Sequence, residues 1–164
     1  MAKIADKKMI EYLNQALTNE LTAVNQYWLH YRILDNLGVT RLAAFERKES
    51  IEEMEHADRI TERILFLDGH PNYQRLAGVR TGENVEEIIQ ADLDLEMDAI
   101  PLLRDAVEYA ESIRDYVTRE LLADILVNEE EHLDYLETQQ DLIKQMGLQN
   151  YVQLQSKPAD DSDG

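Results

Sequence analysis

Cysteine does not occur in the 164 residues, and with it go disulfides, thiolate chemistry, zinc ribbons and cysteine-ligated iron–sulfur clusters. Any metal held by this chain must be held by histidine and carboxylate. Glycine (6) and proline (3) are scarce, so few positions interrupt a regular element. Positive charge is also short: 16 Lys and Arg stand against 34 Asp and Glu, a formal charge of −18. So acidic a surface argues against nucleic acid and anionic membrane as partners and favours cations, although acidity alone also keeps a protein soluble. The opening stretch, MAKIADKKMI, has no apolar core of signal-peptide length, and no run of about 18 apolar residues occurs. The expected location is cytoplasmic.

What is present is helical periodicity. Hydrophobic residues make up 44% of a chain long enough for one domain with a substantial core. Ile10, Leu13, Leu17, Glu20, Val24, Tyr27, Tyr31 and Leu34 recur at spacings of three and four, predicting a first helix over about 6–36 closed by Gly38. Thr40 is the expected cap of a second helix, whose face runs Leu42, Phe45, Glu49, Glu53, His56, Ile60, Ile64, Leu67 and stops at Gly69. A third reads Val85, Ile89, Leu93, Glu96, Ile100, Leu103, Val107, Ala110, with a kink expected at Pro101. A fourth reads Leu122, Ile125, Glu129, His132, Leu136, Gln139, Ile143, Met146 and ends at Gly147, with Ser112, followed by Asp115, as its expected cap. The 15 residues from 69 to 83 can span roughly 50 Å when extended, the length of such a helix, so the third helix can lie parallel to the second. The expected fold is all-α: a ferritin-like four-helix bundle with one long crossover. LQNYVQLQ suits a short fifth helix; residues 1–156 form the expected domain and 157–164 an acidic disordered tail.

Each apolar stripe is interrupted near its middle by glutamate, and in the second and fourth helices by histidine three residues later. Glu20, Glu53, His56, Glu96, Glu129 and His132 thereby occupy core positions. The interruption repeats: adding 76 to 20, 53 and 56 gives 96, 129 and 132, and EEMEHADRI aligns with NEEEHLDYL. Two related helical hairpins would bring all six side chains together at mid-bundle. Four buried carboxylates without compensation would cost many kcal/mol, since one desolvated charge costs several. Two divalent cations would neutralise them. One imidazole per ion among oxygen donors suits iron or manganese better than zinc. A single E-x-x-H usually lies on a solvated face; two copies in register with two lone core glutamates make a di-metal pattern.

At these residues the chain resembles the bacterioferritins. The likeness extends over nearly its whole length, through NQYWLHYR, ESIEEMEHADR, ERILFLDGHPN, NEEEHLDYLETQ and MGLQNY. Paired E-x-x-H motifs also suit rubrerythrin-type proteins and manganese catalases, but the short fifth helix and Met54 narrow the choice. The resemblance implies a hollow 24-subunit shell that oxidises Fe(II) with O2 or H2O2, a ferroxidase activity, and stores a ferric mineral. It implies Glu20 and His56 as terminal ligands of one iron, Glu96 and His132 of the other, and Glu53 and Glu129 as bridges. It implies haem b shared between two subunits with Met54 as axial ligand, and a small ferredoxin as partner for iron release. An outward methionine, about 100° around the helix from Glu53, otherwise reads as interface packing. Tyr27, on the face of Glu20, can hydrogen-bond a ligand carboxylate or simply fill the core. The chain departs from the family where some members carry His and Asp for an inner-surface iron site: Lys48 and Glu52 stand there, and a lysine repels Fe(II). The rival readings are a di-iron peroxidase or manganese catalase of small oligomeric size, and a metal-free acidic helical module.

Overall fold

Asp6 starts the first helix, α1 (Lys7–Asn36): its carboxylate accepts from the backbone N–H of Met9 at 2.9 Å and from the Tyr109 hydroxyl at 2.8 Å. In this computed structural model residues 2–3 and 6–156 are described; the tail expected at 157–164 lies outside the described residues. Gly38, at φ +83°, turns the chain into α2 (Thr40–Phe66). Thr40 is the first helical residue rather than the cap. The cap position belongs to Val39, which makes no side-chain cap bond and is buried among Leu34, Leu42 and Tyr151, so packing sets this helix start. The far end of α2 also differs from expectation. Asp68 takes the left-handed conformation at φ 62°, a position an aspartate tolerates, and Gly69 follows it.

Asn84 caps α3 (Val85–Ser112), accepting from the Glu87 N–H at 3.0 Å, and α3 runs on through Pro101. Asp115, not the expected Ser112, caps α4 (Tyr116–Met146). It accepts from the N–H and hydroxyl of Thr118 and is held by the Arg63 guanidinium at 2.8 Å. Ser112 instead ends α3, its hydroxyl donating to the Tyr109 carbonyl. Gly147, at φ +82°, admits α5 (Leu148–Leu154), whose buried Tyr151 donates to Gln139 Oε1 at 2.8 Å.

Two antiparallel hairpins result, α1 with α2 and α3 with α4, and they pack α1 on α3 and α2 on α4. The crossover is pinned along α1 in ascending order. Asn14 holds His70 and Asn72, Thr22 holds the N–H of Ala77, Gln26 that of Arg80 and His30 that of Gly82. Sixteen residues of helix, about 24 Å, are tracked this way. At its end a Cβ on Gly82 would sit 2.3 Å from the Ile88 backbone nitrogen, so only glycine fits.

The apolar core is divided. One cluster holds Met9, Leu13, Leu17, Ile60, Ile64, Leu103, Leu122 and Ile125; the other holds Leu34, Leu42, Ile88, Ile89, Leu136 and Tyr151. Each large aliphatic buried there contributes about 1.5–3 kcal/mol. A third, small cluster holds Ala23, Tyr27 and Leu95, and Ala23 and Leu95 lie where the carboxylates gather. Among the described residues no helix is long and apolar enough to cross a membrane.

Candidate metal centre

All four long helices contribute to the middle layer. Glu20 comes from α1, Glu53 and His56 from α2, Glu96 from α3, Glu129 and His132 from α4, and none is more than 5% exposed. The i, i+3 spacing on α2 and α4 puts each histidine one turn from its glutamate on the inward face. Two quartets of potential ligand atoms form, Glu20–Glu53–His56–Glu129 and Glu53–Glu96–Glu129–His132. Glu53 and Glu129 belong to both.

The imidazoles face inward through the same nitrogen. His56 Nδ1 lies 3.4, 3.5 and 3.3 Å from Glu20, Glu53 and Glu129, and His132 Nδ1 lies 3.1, 3.7 and 3.6 Å from Glu53, Glu96 and Glu129. Both Nδ1 atoms, with one oxygen each of Glu20, Glu53, Glu96 and Glu129, are buried without a hydrogen-bond partner. Buried polar atoms are ordinarily paired, so this concentration of orphans fits the donor set of a cation. A narrow cavity lined by Asn19, Ala23, Leu95 and Ala99 reaches the four glutamates. Tyr27 donates its hydroxyl to Glu96 Oε1 at 2.5 Å and so orients that carboxylate.

Burial raises Glu20 and Glu96 well above the usual carboxylate range, with the neighbouring charges of Glu53 and Glu129 adding to it. Burial also raises Glu53, but the close approach of Glu20, His132 and His56 outweighs it and brings that group down to about 2. Burial would lower both histidines; surrounding carboxylates, Glu129 foremost, reverse this and push His56 up to about 12 and His132 up as well.

Met54 is not part of this layer. It is 44% exposed on the outer face of α2, close in sequence to the exposed Ile51, with Trp28 exposed on the neighbouring α1. Lys48 and Glu52 lie 3.9 Å apart and Glu52 reaches His132 Nε2 at 3.1 Å; Glu49, buried, contacts the same nitrogen. Sequence reasoning placed Glu49 on the inner stripe without a task.

It also missed a second buried cluster. His30 Nε2 accepts from the Gly82 N–H at 3.0 Å, so Nδ1 carries the proton and donates to Asp92 Oδ1 at 2.8 Å. Gln26 donates to the same oxygen, and Glu46, fully buried, completes the group. Burial and then the Asp92 charge raise Glu46 well above the usual carboxylate range. Gln26, His30, Glu46 and Asp92 share the inward faces of three helices, a signal available from helical spacing had polar residues been counted as core.

Five helices in this order around a mid-bundle layer of carboxylate and imidazole define a ferritin-like protein. A family model described as a ferritin-like domain matches residues 10–146. A bacterioferritin of Brucella melitensis is 49% identical over 158 residues, covering 96% of this chain and 98% of the relative. One from Rhodobacter capsulatus is 45% identical (94% and 96% covered), and one from Streptomyces coelicolor 49% (90% and 88%). The chain belongs to the bacterioferritins. Membership supports iron binding and iron storage as its function.

Proposed function

We propose that the chain is a ferroxidase acting on pairs of Fe(II) ions held by six ligands: Glu20 and His56 terminal on one, Glu96 and His132 terminal on the other, Glu53 and Glu129 bridging. The observation that carries this reading is the sharing of Glu53 and Glu129 by two buried quartets whose inward atoms lack partners. Four carboxylates match the charge of two divalent ions, and shared ligands keep the ions within about 3.5–4 Å, the separation usual in two-metal sites. Fe(II) is the substrate. Each ion gives up one electron, and the pair reduces H2O2 to two hydroxides or O2 to the peroxide level. The protein's part is positioning: Tyr27 fixes Glu96, and the apolar clusters on either side exclude bulk water.

The product is stored as a ferric mineral inside a shell of 24 subunits, in the cytoplasm, with residues 1–156 as the assembling domain. The rival class of small di-iron peroxidase or manganese catalase predicts a different mass. Anaerobic Fe(II) titration should show two ions per chain, on a particle whose native mass corresponds to 24 chains. Two ions on a small oligomer would overturn the storage reading, and no binding would overturn the metal reading.

Met54 suits a haem ligand. Its soft thioether is exposed one turn from the exposed Ile51 on α2, and a twofold pairing of subunits would let two such methionines hold one haem. Haem b so held supplies a one-electron carrier, and a small ferredoxin is the matching donor for iron release. Met54→Leu should abolish haem retention, read as loss of the Soret band after reconstitution, while the Fe(II) oxidation rate stays within about twofold of the parent. A haem-replete variant would refute the role.

A further inference from the structure

The 76-residue repeat that relates the two halves of the centre also relates the groups behind the histidines, and there the chemistry differs. Glu52 plus 76 is Asn128, and Glu49 plus 76 is Ile125. The spatial relation is kept: Glu52 of α2 meets Nε2 of His132 on α4, and Asn128 of α4 meets Nε2 of His56 on α2, at 3.1 and 3.0 Å. One outer nitrogen faces two carboxylates, Glu49 and Glu52; the other faces one neutral amide, and the residue matching Glu49 is a buried isoleucine.

We propose that Glu49 and Glu52 act as positioning residues for His132 and make the two metal positions unequal, the Glu96–His132 position binding a divalent ion first and more tightly than the Glu20–His56 position. This rests on the ligand assignment proposed above. An ionised carboxylate only accepts hydrogen bonds, so Glu49 and Glu52 require the proton of a metal-bound His132 to sit on Nε2. That leaves the Nδ1 lone pair directed at Glu53, Glu96 and Glu129. The same contact adds negative charge beside one metal position and makes its imidazole a stronger donor. Asn128 offers either an N–H or an oxygen, so it fixes no tautomer and adds no charge. Its amide meets His56 Nε2 at 3.0 Å, and only with its oxygen turned to that nitrogen is Nδ1 left free to ligate. Glu49 is buried, whereas the Glu52 side chain is one-third exposed and near Lys48. The supported histidine is thus also the one connected to the surface by acids.

Stepwise Co(II) binding to the assembled, metal-free protein tests this, followed by calorimetry and visible absorption. The parent should take up two ions per chain in two steps separated by at least about tenfold in Kd. His132→Ala should delete the tighter step and His56→Ala the weaker. The double variant Glu49→Gln, Glu52→Asn should weaken the tighter step by about 10–100-fold, so that the two steps merge, while Asn128→Glu should tighten the weaker one. Should the double variant fail to assemble, Glu52→Asn alone and Asn128→Glu carry the test. Two indistinguishable steps in the parent, a tighter step lost with His56, or steps untouched by Glu52→Asn and Asn128→Glu would overturn the inference. Uptake of fewer than two ions by the parent would instead overturn the ligand assignment beneath it.

Discussion

Replacing Glu53 by alanine is expected to abolish rapid Fe(II) oxidation while leaving the particle assembled. Glu53 is one of two side chains common to both quartets, so its loss removes a donor from each ion and the link that holds them side by side. Changes behind a metal ligand commonly cost 10–100-fold; losing a shared ligand should lower the initial rate by about 100-fold or more. The fold has reason to tolerate it. Glu53 lies outside both apolar clusters, whose aliphatic contacts the substitution leaves untouched. His132→Ala should behave alike, since it strips the only nitrogen donor from one quartet. Stopped-flow absorbance of the Fe(III) product measures the rate, and native mass verifies assembly. An unchanged initial rate in either variant would refute the ligand assignment.

The six side chains of this centre were legible in the sequence because glutamate at a core position is expensive. A stripe such as Ile10, Leu13, Leu17, Glu20, Val24 leaves the acid no route to solvent, and its recurrence 76 residues later removes coincidence. Helix bodies were legible for the same reason, from period alone. Helix ends were less so. Val39 rather than Thr40 precedes α2, and Asp68 rather than Gly69 takes the left-handed turn, because tertiary packing of Val39 and Gly69 outweighs local preference. What surrounds the histidines was not legible. Glu49 read as an inner-stripe residue, Glu52 as the residue standing where some family members carry an inner-surface iron ligand, and Asn128 as a polar neighbour. Only the crossing of α2 over α4 brings them to the outer nitrogens. The Gln26–His30–Glu46–Asp92 cluster was hidden for a related reason: each polar residue, taken singly on its helix, has an ordinary exposed reading.

Metal removal should make stability fall steeply as pH rises through neutrality. In the metal-free chain Glu20 and Glu96 stay protonated well above the range in which unfolded glutamates, at about 4.5, lose their protons. His56 and His132 stay protonated above the unfolded value near 6.5, His56 up to about 12. Between about pH 5 and 9 the folded state therefore binds more protons than the unfolded one, and stability must fall as pH rises. The slope is about 1.4 kcal/mol per pH unit for each excess proton. The histidine contribution is whole below about 6.5 and declines towards 12. Glu53, lowered to about 2, gives stability that is present above about 4.5 and disappears only in strong acid, so it does not offset the trend. Two divalent ions should remove it, because they bind where those protons sit. Loading the metal-free protein with Co(II) at pH 7 should release about two to four protons per chain, read in weakly buffered solution. The thermal midpoint of the metal-free protein should drop steadily from pH 6 to 9, and that of the loaded protein should not. A flat metal-free profile, or metal uptake without proton release, would mean that the buried acids are balanced by something other than the protons and cations argued for here.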